Sequence, residues 1–161
     1  MISLQPAEAT MSRSDPPAAP YHALVVDDDR ALQGLFTRLL SRKGFSVDAA
    51  TDGRLAYDHL SRHAYSVILL DLMMPDVNGF ELLERLERDS PSLLPRVIVM
   101  TGASQRAVEE LDGKGIWGLI RKPFDIDELV SSAIACSQGR ARRSSQVVSG
   151  YEALVQPRSI P

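Results

Sequence analysis

Short apolar runs alternate with longer amphipathic stretches from His22 to Gln138, a pattern that predicts a repeated strand–helix unit. Strands are expected at 22–26, 46–50, 66–70, 96–100 and 116–120. After the first, Leu32, Leu35, Phe36, Leu39 and Leu40 recur at helical spacing on one face. Lys43-Gly44 closes that helix, because glycine suits the left-handed position just past a helix end. A second helix covers Leu55 to Leu60 and begins near Thr51-Asp52. A third runs from Gly79 to Arg88, with Phe80, Leu83 and Leu86 turned inward. The fourth, 104–112, is the least apolar. The last runs from 125 to about 138 on a stripe of Ile126, Leu129, Val130, Ala133 and Ile134.

Five strands alternating with five helices predict an α/β domain built on a doubly wound parallel sheet. The first, third and fourth strands are almost continuously apolar, as central strands covered on both faces must be. Ser46-Val47-Asp48-Ala49-Ala50 is more polar and belongs at an edge. That placement gives the order 2-1-3-4-5, the flavodoxin-like (βα)5 arrangement, with its switch point between strands one and three. Ligands of such sheets bind beyond the carboxyl ends of the strands at the switch point.

The flanks change composition. Residues 1–20 carry Pro6, Pro16, Pro17 and Pro20 among small polar residues, which predicts a disordered leader. Residues 139–161 form a basic tail too short for a second domain, so one domain at 21–138 is expected, with no effector domain after it. The net charge of −3 divides unevenly: the leader sums to −1, the tail to +3 and the middle to −5. An acidic middle argues against a nucleic-acid-binding core. No apolar run reaches the ~20 residues of a membrane helix, and Met1 to Pro20 lacks the order of a secretory signal. The single cysteine, Cys136, excludes an internal disulfide and fits a reducing cytoplasm.

The chemistry gathers at the strand ends. Val25-Val26 runs into Asp27-Asp28-Asp29, and Val67-Ile68-Leu69-Leu70 runs into Asp71. Val97 to Met100 runs into Thr101, and Ile116 to Ile120 is followed by Arg121-Lys122-Pro123. Asp29 reads as the cap of the first helix. Asp27, Asp28 and Asp71 are predicted to meet, and three adjacent carboxylates stay ionised only beside a cation. Their hard oxygens suit Mg²⁺, which often pairs one or two carboxylates with a phosphate. Asp71 is then the natural nucleophile towards a phosphoryl donor, forming an acyl phosphate. Lys122 supplies positive charge, Thr101 a hydroxyl, and Gly102 room for close backbone approach.

These pieces together resemble the receiver domain of bacterial two-component response regulators, over about residues 21–138. They are Val25 to Asp29, Asp71-Leu72-Met73-Met74-Pro75 through Gly79, Met100-Thr101-Gly102 and Lys122-Pro123-Phe124. The resemblance implies that Asp71 accepts a phosphoryl group from a phosphohistidine of a sensor histidine kinase or a histidine phosphotransfer protein. It implies that Asp28, Asp71 and the backbone carbonyl of Met73 bind Mg²⁺ directly and Asp27 through water, while Thr101 and Lys122 hold the phosphoryl oxygens. Output would pass to a downstream protein through the face at about 104–138, in the cytoplasm, with homodimerisation left open.

Two departures accompany the match. Leu119 stands where receivers usually carry an aromatic switch residue, and the sole tryptophan, Trp117, lies two residues earlier. No effector domain is expected, which resembles stand-alone receivers that signal by docking. The competing reading is an aspartate-nucleophile phosphatase, but such enzymes place a second acid two residues after the nucleophile, where this chain has Met73. A receiver fold kept only for binding is the other alternative. His59 and His63, four residues apart, bring no further ligand in the nearby sequence and are read as a solvated helix face.

Overall fold

The computed structural model describes residues 21–111 and 114–140; the expected leader at 1–20 and tail beyond Arg140 lie outside the described residues. Five parallel strands form one sheet: β1 (Tyr21–Val26), β2 (Phe45–Ala50), β3 (Val67–Asp71), β4 (Val97–Thr101) and β5 (Gly118–Arg121). Five α-helices alternate with them: α1 (Arg30–Arg42), α2 (Gly53–Arg62), α3 (Gly79–Asp89), α4 (Gln105–Glu109) and α5 (Ile126–Ser137). The strand order is β2-β1-β3-β4-β5, as the polarity of β2 predicted. Every residue of β3 and β4 is buried, so neither strand has a solvent face to carry alternating polar residues.

Alternation of side chains along each strand splits the core in two. Leu24, Val26, Ile68, Leu70, Val97 and Val99 pack with Leu82, Leu83 and Leu86 of α3. Val25, Leu69, Ile98 and Met100 pack on the other face with Phe36, Leu40, Leu129 and Ala133 of α1 and α5. Cys136 lies in this second layer, where burial pushes its thiol up to about 12. Asp29 caps α1 as expected, its Oδ1 accepting from the N–H groups of Ala31 (2.8 Å) and Leu32 (3.2 Å). Gly44 follows that helix at φ +87°.

Three local differences from the sequence expectation have plain causes. A 3₁₀ helix over Pro91–Arg96 precedes β4, started by Pro91, whose ring pre-sets the backbone angle of a first turn. Helix α4 is shorter than 104–112, because none of its five residues is buried and propensity alone does not sustain a helix. Strand β5 begins at Gly118 rather than 116; just before it the Trp117 N–H reaches the sheet, donating to the Val97 carbonyl at 2.9 Å.

The sheet aligns its chemistry at one rim. Asp71 and Thr101 are the last residues of β3 and β4, while Asp27 and Lys122 directly follow β1 and β5.

Candidate functional site

At the rim between β1 and β3, one carboxylate oxygen each of Asp27, Asp28 and Asp71 lies within 4.8 Å of the others. Asp27 and Asp71 are buried, at 1% and 3% exposure, and Asp28 is open to solvent. Backbone donors hold the two buried groups in place: Asp27 Oδ1 accepts from the Asp29 N–H at 2.8 Å, and Asp71 Oδ1 from the Met73 N–H at 3.0 Å. Lys122 reaches in from the end of β5. Its Nζ donates to Asp71 Oδ2 at 2.8 Å and stands 3.5 Å from Asp27 Oδ2.

One ammonium cannot balance three carboxylates. Asp27 Oδ2 is buried without a hydrogen-bond partner, a costly state for an ionised oxygen and the expected mark of a cation's place. The donors are carboxylate oxygens, partly buried and partly open to water, which suits Mg²⁺. Electrostatics agree. Burial raises the Asp27 pKa and the neighbouring Asp71 charge adds to it, against partial relief from the Asp29 N–H and Lys122. For Lys122, burial opposes the charged form, but the hydrogen bond to Asp71 and the charges of Asp27 and Asp71 outweigh it and raise the pKa.

These directions give a linkage prediction. A carboxyl whose folded pKa exceeds its unfolded value contributes stability that is full below the unfolded pKa, here the usual 3.8, and lost as pH rises through the folded value. Ionised Asp27 therefore weakens the metal-free fold at neutral pH. Asp27→Asn is expected to raise the metal-free melting midpoint at pH 7 by a few degrees and to leave it nearly unchanged below pH 3.8. The same variant should lose most of the stabilisation wild type gains from added Mg²⁺. Melting curves across pH, with and without Mg²⁺, check both; an equal shift at acid and neutral pH would contradict the sign.

Thr101 is fully buried, and its Oγ1 accepts from the Ala103 N–H at 2.9 Å. The Lys122 N–H donates to the Thr101 carbonyl at 2.8 Å, joining the ends of β4 and β5. The Lys122–Pro123 peptide bond is cis. The Met73 side chain is 60% exposed. Gly79, the first residue of α3, lies against the Asp71 carbonyl and donates its N–H to Leu72 O at 3.2 Å.

Gln33 belongs to this region and gave no sequence signal, being one polar residue on a helix. Its buried Nε2 donates to the carbonyls of Asp27 (2.7 Å) and Ala50 (2.8 Å), fastening the ends of β1 and β2 under α1. Trp117 and Leu119 pack against different faces of the sheet. Leu119 adjoins the layer under α3, and Trp117 the layer under α1 and α5, with its indole N–H donating to the Arg140 carbonyl at 2.9 Å. Trp117 therefore does not stand in for an aromatic at position 119. The reading of His59 and His63 as a solvated face needs correction: His59 is partly buried and meets Asp48 of β2 and Tyr65 of the segment before β3.

Comparison with known proteins shows what the whole chain is similar to. Residues 23–134 match the family model described as the response regulator receiver domain. The transcriptional regulatory protein TcrA of Mycobacterium tuberculosis is 34% identical over 115 residues, covering 71% of this chain and 45% of the relative. Response regulator MprA of Mycolicibacterium vanbaalenii is 36% identical over 112 residues, covering 70% and 48%. The chain thus spans about half the length of these relatives. Among solved structures, the Francisella response regulator 1452 receiver domain superposes with a TM-score of 0.67 at 28% identity, covering 74% of this chain and 98% of that one.

Proposed function

Since the chain belongs to the receiver domain family of two-component response regulators, we propose that Asp71 is its phosphoacceptor. In this reading Asp71 takes a phosphoryl group from the phosphohistidine of a sensor kinase or phosphotransfer protein. The observation that carries the proposal is the Lys122 ammonium 2.8 Å from Asp71 Oδ2, beside three gathered carboxylates. A nucleophile, a charge-neutralising donor and a cation-binding acid cluster in one place form the minimum set for phosphoryl transfer.

Asp27, Asp28 and Asp71, with the Met73 carbonyl, would hold Mg²⁺, which when bound supplies positive charge against the phosphoryl oxygens. The chain's own groups carry the remaining work. An Asp71 carboxylate oxygen forms the new O–P bond as the donor's N–P bond breaks, and the freed imidazole nitrogen takes up a proton. Lys122 turns from the carboxylate towards the incoming phosphoryl oxygens. Thr101 donates its hydroxyl proton to the same group, and its motion pulls on Ala103.

Output follows from what Ala103 touches. Arg121 Nη1 donates to the Ala103 carbonyl at 3.5 Å and Nη2 donates to Gln105 Oε1, so a shift at Thr101 reaches the start of α4 and the end of β5 together. Helix α4 has no buried side chain to resist such a shift. We assign signalling to altered protein contacts of the 104–138 face, without an aromatic at position 119. The exposed Met73 supports a signalling role over phosphoester turnover, because it offers no proton to a leaving alcohol where a phosphatase needs one. Among the described residues no helix is long and apolar enough to cross a membrane, which fits a cytoplasmic site of action.

The test is intact mass after incubation with a small acyl-phosphate donor, with and without Mg²⁺, followed by peptide mapping. One phosphoryl group, added only with Mg²⁺ and located on Asp71, is the expected result. Addition that ignores Mg²⁺, or that maps elsewhere, would overturn the assignment.

A further inference from the structure

Asp27, Asp71 and Thr101 are buried polar side chains with a part in the phosphoacceptor reading; Gln33 is buried as well and has no part in it yet. It stands one turn into α1. Its backbone N–H donates to the Asp29 carbonyl at 3.0 Å, and its Nε2 donates to the carbonyls of Asp27 at 2.7 Å and Ala50 at 2.8 Å. A single residue thus grips the acid-bearing segment at both ends, with Asp28 between them.

The strand geometry explains why a side chain is needed there. The pairing of β1 with β2 continues just past β1, where the Asp27 N–H donates to the Ala50 carbonyl at 3.1 Å. In a parallel ladder the carbonyl of that same residue faces the same neighbour and takes its bond from a donor further along it. That donor would be the Asp52 N–H, but β2 ends at Ala50 and Asp52 turns to cap α2. The Gln33 amide takes its place, and one amide nitrogen carries enough hydrogens for both carbonyls. Without it the Asp27 carbonyl would be a buried acceptor with no donor, which a backbone avoids by moving. Asp27 is also under load, because its buried Oδ2 has no hydrogen-bond partner and the charge of Asp71 stands nearby.

We propose that Gln33 is a positioning residue for the cation site: by holding the Asp27 carbonyl it keeps the Asp27 and Asp28 carboxylates where they meet Asp71. The role rests on the reading of these acids as a Mg²⁺-dependent phosphoacceptor site. Gln33 donates to backbone carbonyls, not to the carboxylates, so it acts through the backbone of its neighbours. Removing a group that orients metal ligands typically lowers metal affinity by about 10–100-fold. A residue that only stabilised the fold would change how much protein is folded, not how tightly the folded form holds a cation.

Mn²⁺ shares the oxygen preference of Mg²⁺, and water-proton relaxation reads its binding to the full chain with no phosphoryl donor present. Gln33→Met keeps the length of the side chain and loses its donors. Gln33→Glu keeps its shape and sets a carboxylate against the same carbonyls. Mn²⁺ affinity is expected to fall about 10-fold or more in each. Leu40→Val thins the packing about two turns further along α1 and should leave the affinity of the folded protein unchanged. Phosphoryl uptake should divide in the same way. In Gln33→Met the Mg²⁺ needed for half-maximal rate rises by that factor, while the rate at saturating Mg²⁺ stays within about threefold of wild type. Wild type gives a reading that needs no variant: the Gln33 side-chain amide signals in a nitrogen-15 NMR spectrum should shift with Mg²⁺ and saturate together with the Asp28 N–H. Affinity that is unchanged in Gln33→Met and Gln33→Glu, or that falls equally in Leu40→Val, would overturn the role of Gln33 and leave the cation site standing. Wild type that binds no Mn²⁺ would refute the cation site, and the positioning role with it.

Discussion

Asp71→Asn is expected to abolish phosphoryl uptake from both small-molecule and histidine donors, a loss of at least about a thousandfold if it is the sole nucleophile. An amide nitrogen and carbonyl lack the anionic lone pair that attacks phosphorus. The substitution also disturbs the site without emptying it. Asp71 accepts at both oxygens, from the Met73 N–H and from Lys122, whereas an amide can accept at only one of them. Either Met73 or Lys122 then faces a second donor, and Lys122 is the one free to move, towards Asp27 Oδ2 at 3.5 Å. A folded, unphosphorylated variant is the predicted outcome, read by intact mass and circular dichroism. Labelling at the wild-type rate would place the nucleophile elsewhere and sink the assignment of Asp71.

The second large effect is structural. Gly79→Ala is expected to destabilise the domain by about 3 kcal/mol or more, the upper end of the cost of forcing extra atoms into packed space. A Cβ built at Gly79 would sit 2.4 Å from the Asp71 carbonyl oxygen and 2.7 Å from Leu72 Cα. Both contacts are backbone, so no side-chain rotation relieves them. Alanine's advantage in helix propensity is only about 1 kcal/mol, too little to compensate. Relief requires α3 to back away or the end of β3 to shift, and a shift there carries the phosphoacceptor with it. Urea unfolding should show the loss of stability, and phosphoryl uptake should fall beyond what the unfolded fraction explains. Wild-type stability in this variant would mean that α3 moves away from β3 without cost.

Much of the site was legible because strand ends advertise themselves. An apolar run must stop where the chain leaves the core, and Asp27, Asp71, Thr101 and Lys122 each mark such a stop. A parallel sheet brings all its carboxyl ends to one rim, so four separate stops predict one location. The edge position of β2 was equally readable from its polar residues, since an edge strand has fewer neighbours to bury against. Gln33 could not be found this way, because its value lies in carbonyls at the ends of two strands that only the fold brings over α1. Sequence reasoning also expected too long a fourth helix, where no packed face exists to stabilise one.

The histidines show the same boundary more sharply. His59 and His63 are four apart and visible as a pair, but His22 and Asp48 come from β1 and β2, and register alone carries them alongside. Trp117 and Leu119 are two residues apart and share a sequence neighbourhood. They nonetheless pack on different faces, because Trp117 precedes the first residue of β5 and escapes its alternation. By itself the sequence determined the α/β architecture, the strand order, and which acids, hydroxyl and lysine sit at the strand ends, because burial of apolar runs is a local and periodic demand. Tertiary structure alone decided which oxygen of Asp27 is left without a partner, what Lys122 and Gln33 grip, and which residues gather around Asp48, because hydrogen bonds and charges act over a few ångströms between segments far apart in the chain.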